Sequence, residues 1–348
     1  MSLEYRAITL EAFFLRYKND CFNNSLYELS LSWHKTTHQY MLPANTEVFY
    51  HCLFKKDVLQ IAWPLVHLSS NTLSTKELHS LTSYYSAISE PILLKDSTQE
   101  QMFTLLCQSV SSRYPWSKMT LGPLSYSGEI HQAIQKTFVY KRIYSEKDNW
   151  YQDGIIDFQQ YYQQRPSQLK NTIKRKQKKL NSEHKITLKI ITTREEFSLY
   201  FADYQRIYLI SWKGNEGRIE FIEQVCYLAI KENKLRMGLL LIDGSVVAAQ
   251  IWFLEKGTAS IFKLAYDPKY KQYSVGSILS MALSEYVIDK DRVTEIEFGM
   301  GNEPYKKDWM TKNRQRVTVE VFNNKSINGL LLAVKYLFLV KIKKFFRF

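Results

Sequence analysis

Polar residues that could support group transfer are concentrated in the segment 299–309, Gly-Met-Gly-Asn-Glu-Pro-Tyr-Lys-Lys-Asp-Trp. The segment is too polar and glycine-rich for a core and follows a short apolar run, so we expect a loop at a strand end, where functional side chains often lie. Acyl transfer from a thioester needs a base, a group that stabilises the oxyanion and a proton for the departing thiolate. Glu303, Lys306 and Tyr305 could supply one each. The alternative interpretation is an exposed Glu303–Lys306 ion pair, worth less than about 1 kcal/mol.

A base in this region has to be something other than histidine. All seven histidines, at positions 34, 38, 51, 67, 79, 131 and 184, precede the segment. We therefore expect a carboxylate, a tyrosinate, an ordered water or the acceptor itself to act as the base, and Glu297, Glu303 and Asp267 are the leading acids. His34 and His38 are spaced for one helix face, but no third ligand lies near them, so we predict no metal site.

The residues from 260 to 309 have the order strand, glycine-containing loop, helix, strand and polar loop. Asp267-Pro268 ends the first strand, and apolar residues then recur at helical spacing. A helix that begins at 274–277 would present unpaired backbone N–H groups and the positive end of its dipole, and Gly276 would let a pyrophosphate approach the backbone. The alternative is a surface turn with an ordinary helix cap from Ser274.

Five short segments give the chain a resemblance to a known family. They are Ser211-Trp212-Lys213, Ala248-Ala249-Gln250, Lys263-Leu264-Ala265-Tyr266-Asp267, Tyr273-Ser274-Val275-Gly276-Ser277-Ile278-Leu279 and Phe298-Gly299-Met300-Gly301-Asn302-Glu303-Pro304-Tyr305-Lys306. In order and spacing they resemble the CelD-type acetyltransferases. That family is similar to the GNAT superfamily of acyl-CoA-dependent acyltransferases and, more distantly, to the FemABX transferases, which take an aminoacyl group from tRNA. The resemblance covers residues 155–310 well and residues 25–150 more weakly, and it departs from the family pattern at Val275, where a proline is expected.

The resemblance implies acetyl-CoA or another acyl-CoA as the donor substrate, bound around the glycine loop. Trp212 would stack on a sugar or adenine ring, although a buried tryptophan is more often part of a core. Lys306 would stabilise the oxyanion or an acceptor's negative charge, as the matching lysine does in the Fem relatives, and Tyr305 would donate to the thiolate. The candidate residues are Glu303, Tyr305, Lys306 and Glu297 for catalysis; Lys263, Tyr273, Ser274, Val275, Gly276 and Ser277 for donor binding; and Trp212, Lys213, Asp267 and Arg175 for substrate binding.

Length and composition favour two globular domains in a reducing compartment. The chain has 348 residues, of which 45% are hydrophobic and 14% aromatic, which excludes a disordered protein. Its four cysteines form no CxxC pair, and residues 1–15 contain no apolar signal core, so we expect a cytoplasmic protein with reduced thiols. Together with the resemblance, this predicts an α/β fold of two tandem GNAT-like domains, a FemABX-like duplication with mixed, mostly antiparallel sheets flanked by helices. The predicted parts are a degenerate domain at 1–150, an acyltransferase domain at 151–325 and a basic hydrophobic tail at 326–348.

Alternation, turn residues and capping motifs predict the individual elements. The Asp243-Gly244 pair between two apolar runs indicates a tight hairpin. Predicted strands are 47–54, 59–68, 117–121, 137–144, 237–242, 246–254, 260–265 and 295–298. Predicted helices include one capped by Ser97 that runs toward Ser112, one capped by Thr193 that reaches Tyr208, and helices at 168–180 and 220–231.

Positive charge is concentrated in the second half, where residues 151–348 hold 33 of the 47 Lys and Arg but 21 of the 34 acidic residues. The helix at 168–180 has one apolar stripe and many cations, with no acid before Glu183, which favours an anionic partner over a merely solvated face. Nucleotide-sugar phosphates, tRNA and anionic polymers all fit this charge. The tail is too short and too charged to span a bilayer, and it is either an interfacial helix on the anionic inner face of a membrane or a terminal helix packed on its own domain.

These observations together predict an acyltransferase that moves an acyl group, with acetyl expected, from acyl-CoA to an amine or hydroxyl of a sugar or cell-surface polysaccharide precursor. Two alternatives stay open. One is a FemABX-like transferase that uses aminoacyl-tRNA and acts on a cell-wall precursor. The other is a non-catalytic module on a GNAT scaffold that binds anions or nucleic acid.

Overall fold

The computed structural model describes residues 3–70, 75–94 and 100–345. The elements of the first half are β1 (Glu4–Thr9), α1 (Leu10–Tyr17), α2 (Leu31–Met41), β2 (Glu47–Lys55), β3 (Val58–Ser70), β4 (Thr75–Ser80), β5 (Ile92–Leu93), α3 (Glu100–Arg113), β6 (Lys118–Ser125), α4 (Glu129–Thr137) and β7 (Tyr140–Gln152). The elements of the second half are α5 (Phe158–Gln163), α6 (Ser167–Glu183), β8 (Ile186–Ile191), α7 (Arg194–Ile210), α8 (Ile219–Lys231), β9 (Leu235–Ile242), β10 (Ser245–Glu255), β11 (Thr258–Tyr266), α9 (Val275–Asp289), β12 (Glu295–Met300), α10 (Lys306–Trp309), β13 (Lys312–Phe322) and α11 (Ile327–Phe345).

Two compact units make up the chain. Unit 1 contains residues 1–24, 28–147 and 315–348, and unit 2 contains residues 25–27 and 148–314. The division into domains at residues 150 and 325 stays a prediction.

The sheet of unit 1 has the strand order β1-β2-β3-β4-β6-β13. Neighbouring strands are antiparallel except β4 and β6, which are parallel and are connected through α3. The predicted hairpin of β2 and β3 is present, and its turn residues Lys56 and Asp57 have φ of 49° and 62°, as two-residue turns that match the twist of the strands require. The predicted helix 97–112 corresponds to α3, but its proposed cap Ser97 lies outside the described residues.

Unit 2 repeats this order of elements. Its strands run β8-β9-β10-β11-β12 and end with the 148–152 part of β7. All neighbours are antiparallel except β11 and β12, which are parallel and are connected by α9. In each unit, therefore, four antiparallel strands are followed by a helical crossover to a parallel neighbour and then by one antiparallel strand. The predicted α/β fold with mostly antiparallel sheets flanked by helices is confirmed.

Each sheet is completed by residues that are distant in the chain from the rest of its unit. In unit 1 the last strand is the 315–322 part of β13, which pairs with β6 from Arg316 to Phe322. In unit 2 it is the 148–152 part of β7, which pairs with β12.

The helices of unit 2 pack on its sheet through the apolar stripes that the sequence predicts. Leu169, Ile173 and Leu180 of α6 are all buried. Gly238 on β9 permits the close approach of α9, because a Cβ atom at this position would lie 2.6 Å from Cδ1 of Leu283. At the start of α7 the predicted cap is confirmed, since the Thr193 hydroxyl accepts from the Glu196 backbone N–H.

Histidines form part of the core of unit 1. His34 is buried, and its Nδ1 lies 2.7 Å from the Tyr50 hydroxyl. His51 is also buried, with Nδ1 2.6 Å from the Tyr5 hydroxyl and Nε2 3.1 Å from Nε2 of His67. Burial lowers the pKa of His34 and of His51 to about 3, and that of His67 to about 4. These imidazoles are therefore neutral at pH 7.

The visible part of the tail exposes apolar side chains. Leu330, Leu331 and Val334 of α11 are exposed, while Ala333 is buried. Within the described residues, no helix combines the length and apolar character that crossing a membrane requires.

Candidate active site

An opening between two parallel strands defines the candidate site in unit 2. The ladder of β11 and β12 covers only residues 258–260 and 295–297, yet β11 continues to Tyr266 and β12 to Met300. The strands therefore separate toward their carboxyl ends, which is where α/β folds commonly bind ligands. The two segments singled out in the sequence, the glycine loop and the polar loop, both begin at these strand ends.

Helix α9 begins at the carboxyl end of β11. A 3₁₀ turn at Pro268–Tyr273 follows the strand, and the Asp267 side chain caps it by accepting from the Lys269 N–H. Ser274 then has a left-handed conformation with φ of 54° and makes no side-chain cap for α9. The alternative of an ordinary serine cap is thus wrong, and the first backbone N–H groups of α9 have no cap from this side chain.

Gly276 has a steric role that the sequence did not reveal. A Cβ atom there would lie 3.1 Å from Cδ1 of the Tyr266 ring. The ring centroid of Tyr266 is in turn 4.9 Å from that of Trp212. Trp212 is 55% exposed, so its alternative role as a core residue is wrong, and Gly276, Tyr266 and Trp212 form one continuous wall.

Most other side chains proposed for donor binding point away from solvent. The Tyr273 hydroxyl donates to the Glu183 carboxylate over 2.5 Å, and its ring packs edge-on against His184. Val275 is fully buried in the core of unit 2. These two residues therefore have only backbone groups to offer a donor, whereas the Ser274 hydroxyl is not engaged in a helix cap. Ser277 lies half-buried in the first turn of α9, and its predicted donor-binding role stays a prediction.

Lys263 of β11 is paired with an acid that sequence reasoning missed. Its Nζ lies 2.9 Å from Oε2 of Glu216, and both side chains are only 7% exposed. The same Nζ is 5.3 Å from the centroid of the Tyr208 ring. Burial lowers the pKa of Lys263, and the charge and hydrogen bond of Glu216 oppose that shift. Glu216 follows Trp212-Lys213-Gly214-Asn215 directly, so its position next to the predicted substrate-binding residues was the available signal.

Lys306 and Glu303 form the second ion pair of the site. The Lys306 Nζ lies 2.8 Å from Oε2 of Glu303 and also donates to the Met300 carbonyl oxygen at the end of β12, over 2.8 Å. The lysine side chain is 5% exposed and the glutamate 53%, so the predicted exposed ion pair is wrong for Lys306. Gly301 has φ of 118°, and a Cβ atom there would lie 2.6 Å from Oε2 of Glu303. Only glycine fits this turn.

The pKa values of Glu303 and Tyr305 are both shifted by their surroundings in the loop. Burial opposes its ionisation, but the hydrogen bond from Lys306, a loop backbone N–H and the nearby cations outweigh burial, and the pKa of Glu303 lies below its ordinary value. Tyr305 is 39% exposed, and its ring lies edge-on to Phe298 with 5.5 Å between centroids. Burial, followed by the charge of Glu303, raises the pKa of Tyr305 to about 12, so its hydroxyl is protonated at neutral pH.

Lys213 lies near enough to both ion pairs for the charges of all four residues to act on its pKa. Its Nζ lies 5.7 Å from the centroids of the Tyr208 and Trp212 rings. The residue as a whole is exposed. The pKa of Lys213 is nevertheless lowered to about 8, first because the surrounding protein desolvates the amine and second because of the charge of Lys263. Among the described residues, no carboxylate lies within ion-pair distance of Lys213.

Three predicted residues lie outside this cluster or are committed to other partners. Glu297 is buried and receives a hydrogen bond from Nη2 of Arg314 over 2.5 Å, so it is a counter-ion of Arg314, and its catalytic role stays a prediction. Asp267 caps the 3₁₀ turn, which leaves its predicted substrate contact without support from the geometry. Arg175 lies exposed on α6. Arg314 of β13 was missed, because no local pattern connects it to β12.

Comparison with known proteins relates the chain to one domain family and to several solved structures. Residues 167–307 match the family described as "Acetyltransferase (GNAT) domain". Among solved structures, the chain is similar to FemX, with a TM-score of 0.66 at 9% identity over 94% of this chain and 99% of that chain. It is also similar to the C-terminal domain of a putative lysylphosphatidylglycerol synthetase from Agrobacterium fabrum, with a TM-score of 0.50 at 9% identity over 83% of this chain and 88% of that chain. L-PGS from Bacillus licheniformis gives a TM-score of 0.50 at 12% identity over 94% of this chain and 95% of that chain.

No curated protein sequence matches the chain. At identities this low the structural likeness shows the fold alone. The predicted resemblance to the GNAT superfamily is confirmed for the matched region, while the narrower CelD type stays a prediction.

Proposed function

We propose that this protein is an acyltransferase that takes an acyl group, with acetyl expected, from acyl-CoA and transfers it to an amine or hydroxyl of a sugar or polysaccharide precursor. The observation that carries the proposal is the early end of the β11–β12 ladder, at Ser260 and Glu297, beside the start of α9. An extended thioester arm fits between separating strands, where backbone groups pair with it as a further strand would. The pyrophosphate of the donor then lies at the N-terminus of α9, which attracts anions.

The side chains at the opening supply what acyl transfer requires. Lys306 presents a positive charge at the end of β12, fixed by its bond to the Met300 carbonyl, where an oxyanion would form. Tyr305 keeps its proton at neutral pH and can donate it to the departing thiolate. The exposed ring of Trp212 offers a flat surface on which a sugar ring stacks.

The equivalent position in unit 1 is occupied by the chain itself. The parallel ladder of β4 and β6 also covers only three residue pairs. Beyond it, the Ser89 N–H donates to the Pro123 carbonyl over 2.7 Å, and the Ser125 N–H donates to the Glu90 carboxylate. This arrangement supports the proposal that donor binding belongs to unit 2.

The test is transfer of radiolabel from acetyl-CoA to glucosamine and to polysaccharide fragments, combined with calorimetric titration of acetyl-CoA into the protein. Heat of binding with product formation supports the proposal. Absence of binding by acetyl-CoA and by longer acyl-CoA donors would refute it. Salt-dependent RNA binding without any transfer would instead favour a non-catalytic nucleic-acid module.

A second candidate function is transfer of an aminoacyl group from tRNA, and the exposed cations of α6 favour it. Among the described residues, Lys174, Arg175, Lys176 and Lys178 form no ion pair, and Lys179 has a distant one with Glu183 at 3.8 Å. Such a surface attracts phosphate backbones. The likeness in fold to FemX and to L-PGS is compatible with this candidate as well. Incubation with charged tRNA separates the candidates, because only an aminoacyl transferase would deacylate it in the presence of an acceptor.

A further inference from the structure

The cluster at the strand ends contains more cations than carboxylates. Lys263 is paired with Glu216 and Lys306 with Glu303, at 2.9 and 2.8 Å. Lys213 is close enough to both pairs to sense the charges of all four groups, but neither carboxylate is within ion-pair distance of its Nζ. One of three amino groups in this small space is therefore left without a counter-ion.

We propose that Lys213 is the general base of the reaction and accepts the proton that the acceptor amine loses as it attacks the acyl carbon. This inference rests on the function proposed above. It assigns a catalytic role to a residue for which the sequence indicated only substrate binding.

The other ionisable groups of the site are poorly suited to this task. The carboxylates of Glu216 and Glu303 each accept from a lysine, and that of Glu297 accepts from Arg314. The pKa of Glu303 lies below its ordinary value, which makes this carboxylate a weaker base, and the other two carboxylates are already occupied by their cations. Tyr305, with a pKa of about 12, is protonated at neutral pH and is a proton donor instead.

The surroundings of Lys213 favour its neutral amine. A proton on Lys213 adds a third positive charge next to Lys263 and Lys306, and desolvation by the surrounding protein also disfavours it. Glu216 and Glu303 act in the opposite direction, but each is already compensated by its own lysine. The resulting pKa of about 8 is close to neutral pH, where a general base is most effective.

The proposed step balances as follows. The acceptor nitrogen forms a bond to the acyl carbon and transfers one proton to Nζ of Lys213. The carbon–sulfur bond breaks, its electron pair remains on sulfur, and the thiolate takes the proton of the Tyr305 hydroxyl. Lys213 then releases its proton through its exposed side, and the Tyr305 oxygen regains one from solvent. The net products are the amide and the free thiol.

Competitive labelling measures the protonation of Lys213 without any need for activity. The intact protein is treated with trace acetic anhydride between pH 6 and 11, free Nα-acetyl-lysine is added as an internal standard, and acetylation of each lysine is measured by mass spectrometry. Lys213 should show a midpoint about two pH units below that of the standard, whose pKa is about 10.4. A midpoint equal to that of the standard would overturn the proposal while leaving the proposed acyltransferase function intact.

Substitution separates a base from a mere positive charge. Arginine keeps the charge but cannot be deprotonated in a protein. With acetyl-CoA and glucosamine as substrates, Lys213→Arg and Lys213→Met should both lower kcat by about a hundredfold and remove the rise in rate between pH 7 and 9. Lys307→Arg, at an exposed position of the neighbouring loop, is the matched control.

A Lys213→Arg variant with kcat close to the wild type would show that only the charge matters and would overturn the assignment. If the wild type transfers no acyl group to any acceptor, the proposed function fails and the base role fails with it. A low labelling midpoint in that case would show only that the pKa of Lys213 is lowered by its surroundings.

Discussion

The buried histidines of unit 1 should make the protein sensitive to mild acid, and His34 offers the cleanest test. Its pKa is about 3 in the folded protein and about 6.5 in an unfolded chain. Because the folded pKa is the lower one, the unfolded state takes up the proton first. The stability contributed by neutral His34 is therefore complete above pH 6.5 and is lost as the pH falls from there toward 3.

The size of the effect follows from these two values. Between pH 7 and pH 5, an unfolded histidine becomes almost fully protonated while His34 stays neutral, which lowers the free energy of unfolding by about 2 kcal/mol. His34→Gln keeps a hydrogen-bonding group for the Tyr50 hydroxyl and cannot titrate. Any destabilisation caused by the substitution itself is the same at both pH values. The decrease in the free energy of unfolding between pH 7 and pH 5 should therefore be about 2 kcal/mol smaller in His34→Gln than in the wild type.

Urea unfolding at pH 7 and pH 5, followed by tyrosine fluorescence and circular dichroism, measures this difference. Tyr50→Phe is the matched control, because it removes the hydrogen-bond partner but leaves the titrating ring in place, and it should keep the full pH dependence. Titration of the His34 ring by NMR gives an independent check. A ring that protonates near pH 6.5 in the folded protein, or an unchanged pH dependence in His34→Gln, would refute the reasoning.

Three further predictions concern the site and the tail. Lys306→Ala should lower kcat/KM about a hundredfold, whereas Lys307→Ala should change it little. A Lys306→Ala variant as active as the wild type would show that the 299–309 loop is structural. Gly276→Val should displace the Tyr266 ring and raise the KM for acyl-CoA more than it lowers the melting temperature, and an unchanged KM in a folded variant would contradict this. Removal of residues 330–348 should release the protein from anionic liposomes in a flotation assay without loss of activity; insoluble protein would indicate that the tail packs on unit 1.

Local patterns were enough to predict most elements of unit 2. The Asp243-Gly244 turn has φ of 49° and 84° and connects the two predicted strands. A two-residue turn of this kind is recognisable in the sequence because it needs residues that adopt positive φ. The Thr193 cap was also readable, since the donor and acceptor are three residues apart. In such cases the interacting groups lie close together in the sequence, so their spacing contains the geometry.

The partners within the site could not be predicted in this way. Lys263 finds Glu216 from 47 residues away, and Glu297 finds Arg314 on a different strand. These pairs depend on which strands separate and which face each side chain occupies, and neither is determined by local spacing. The left-handed backbone conformation of Ser274 was also not predicted, because serine rarely adopts this conformation and hydrophobic periodicity does not indicate it.

The way each sheet is completed has a consequence for synthesis on the ribosome. Residues 1–147 emerge first, but the edge of β6 receives its partner only when residues 315–322 of β13 have left the exit tunnel. At about 5–20 residues per second, this edge stays exposed for on the order of ten seconds or more. An exposed strand edge is a template for wrong pairing. Nascent chains should therefore need a chaperone until the last strand arrives, and a fragment that ends near residue 150 should aggregate although it contains most of unit 1.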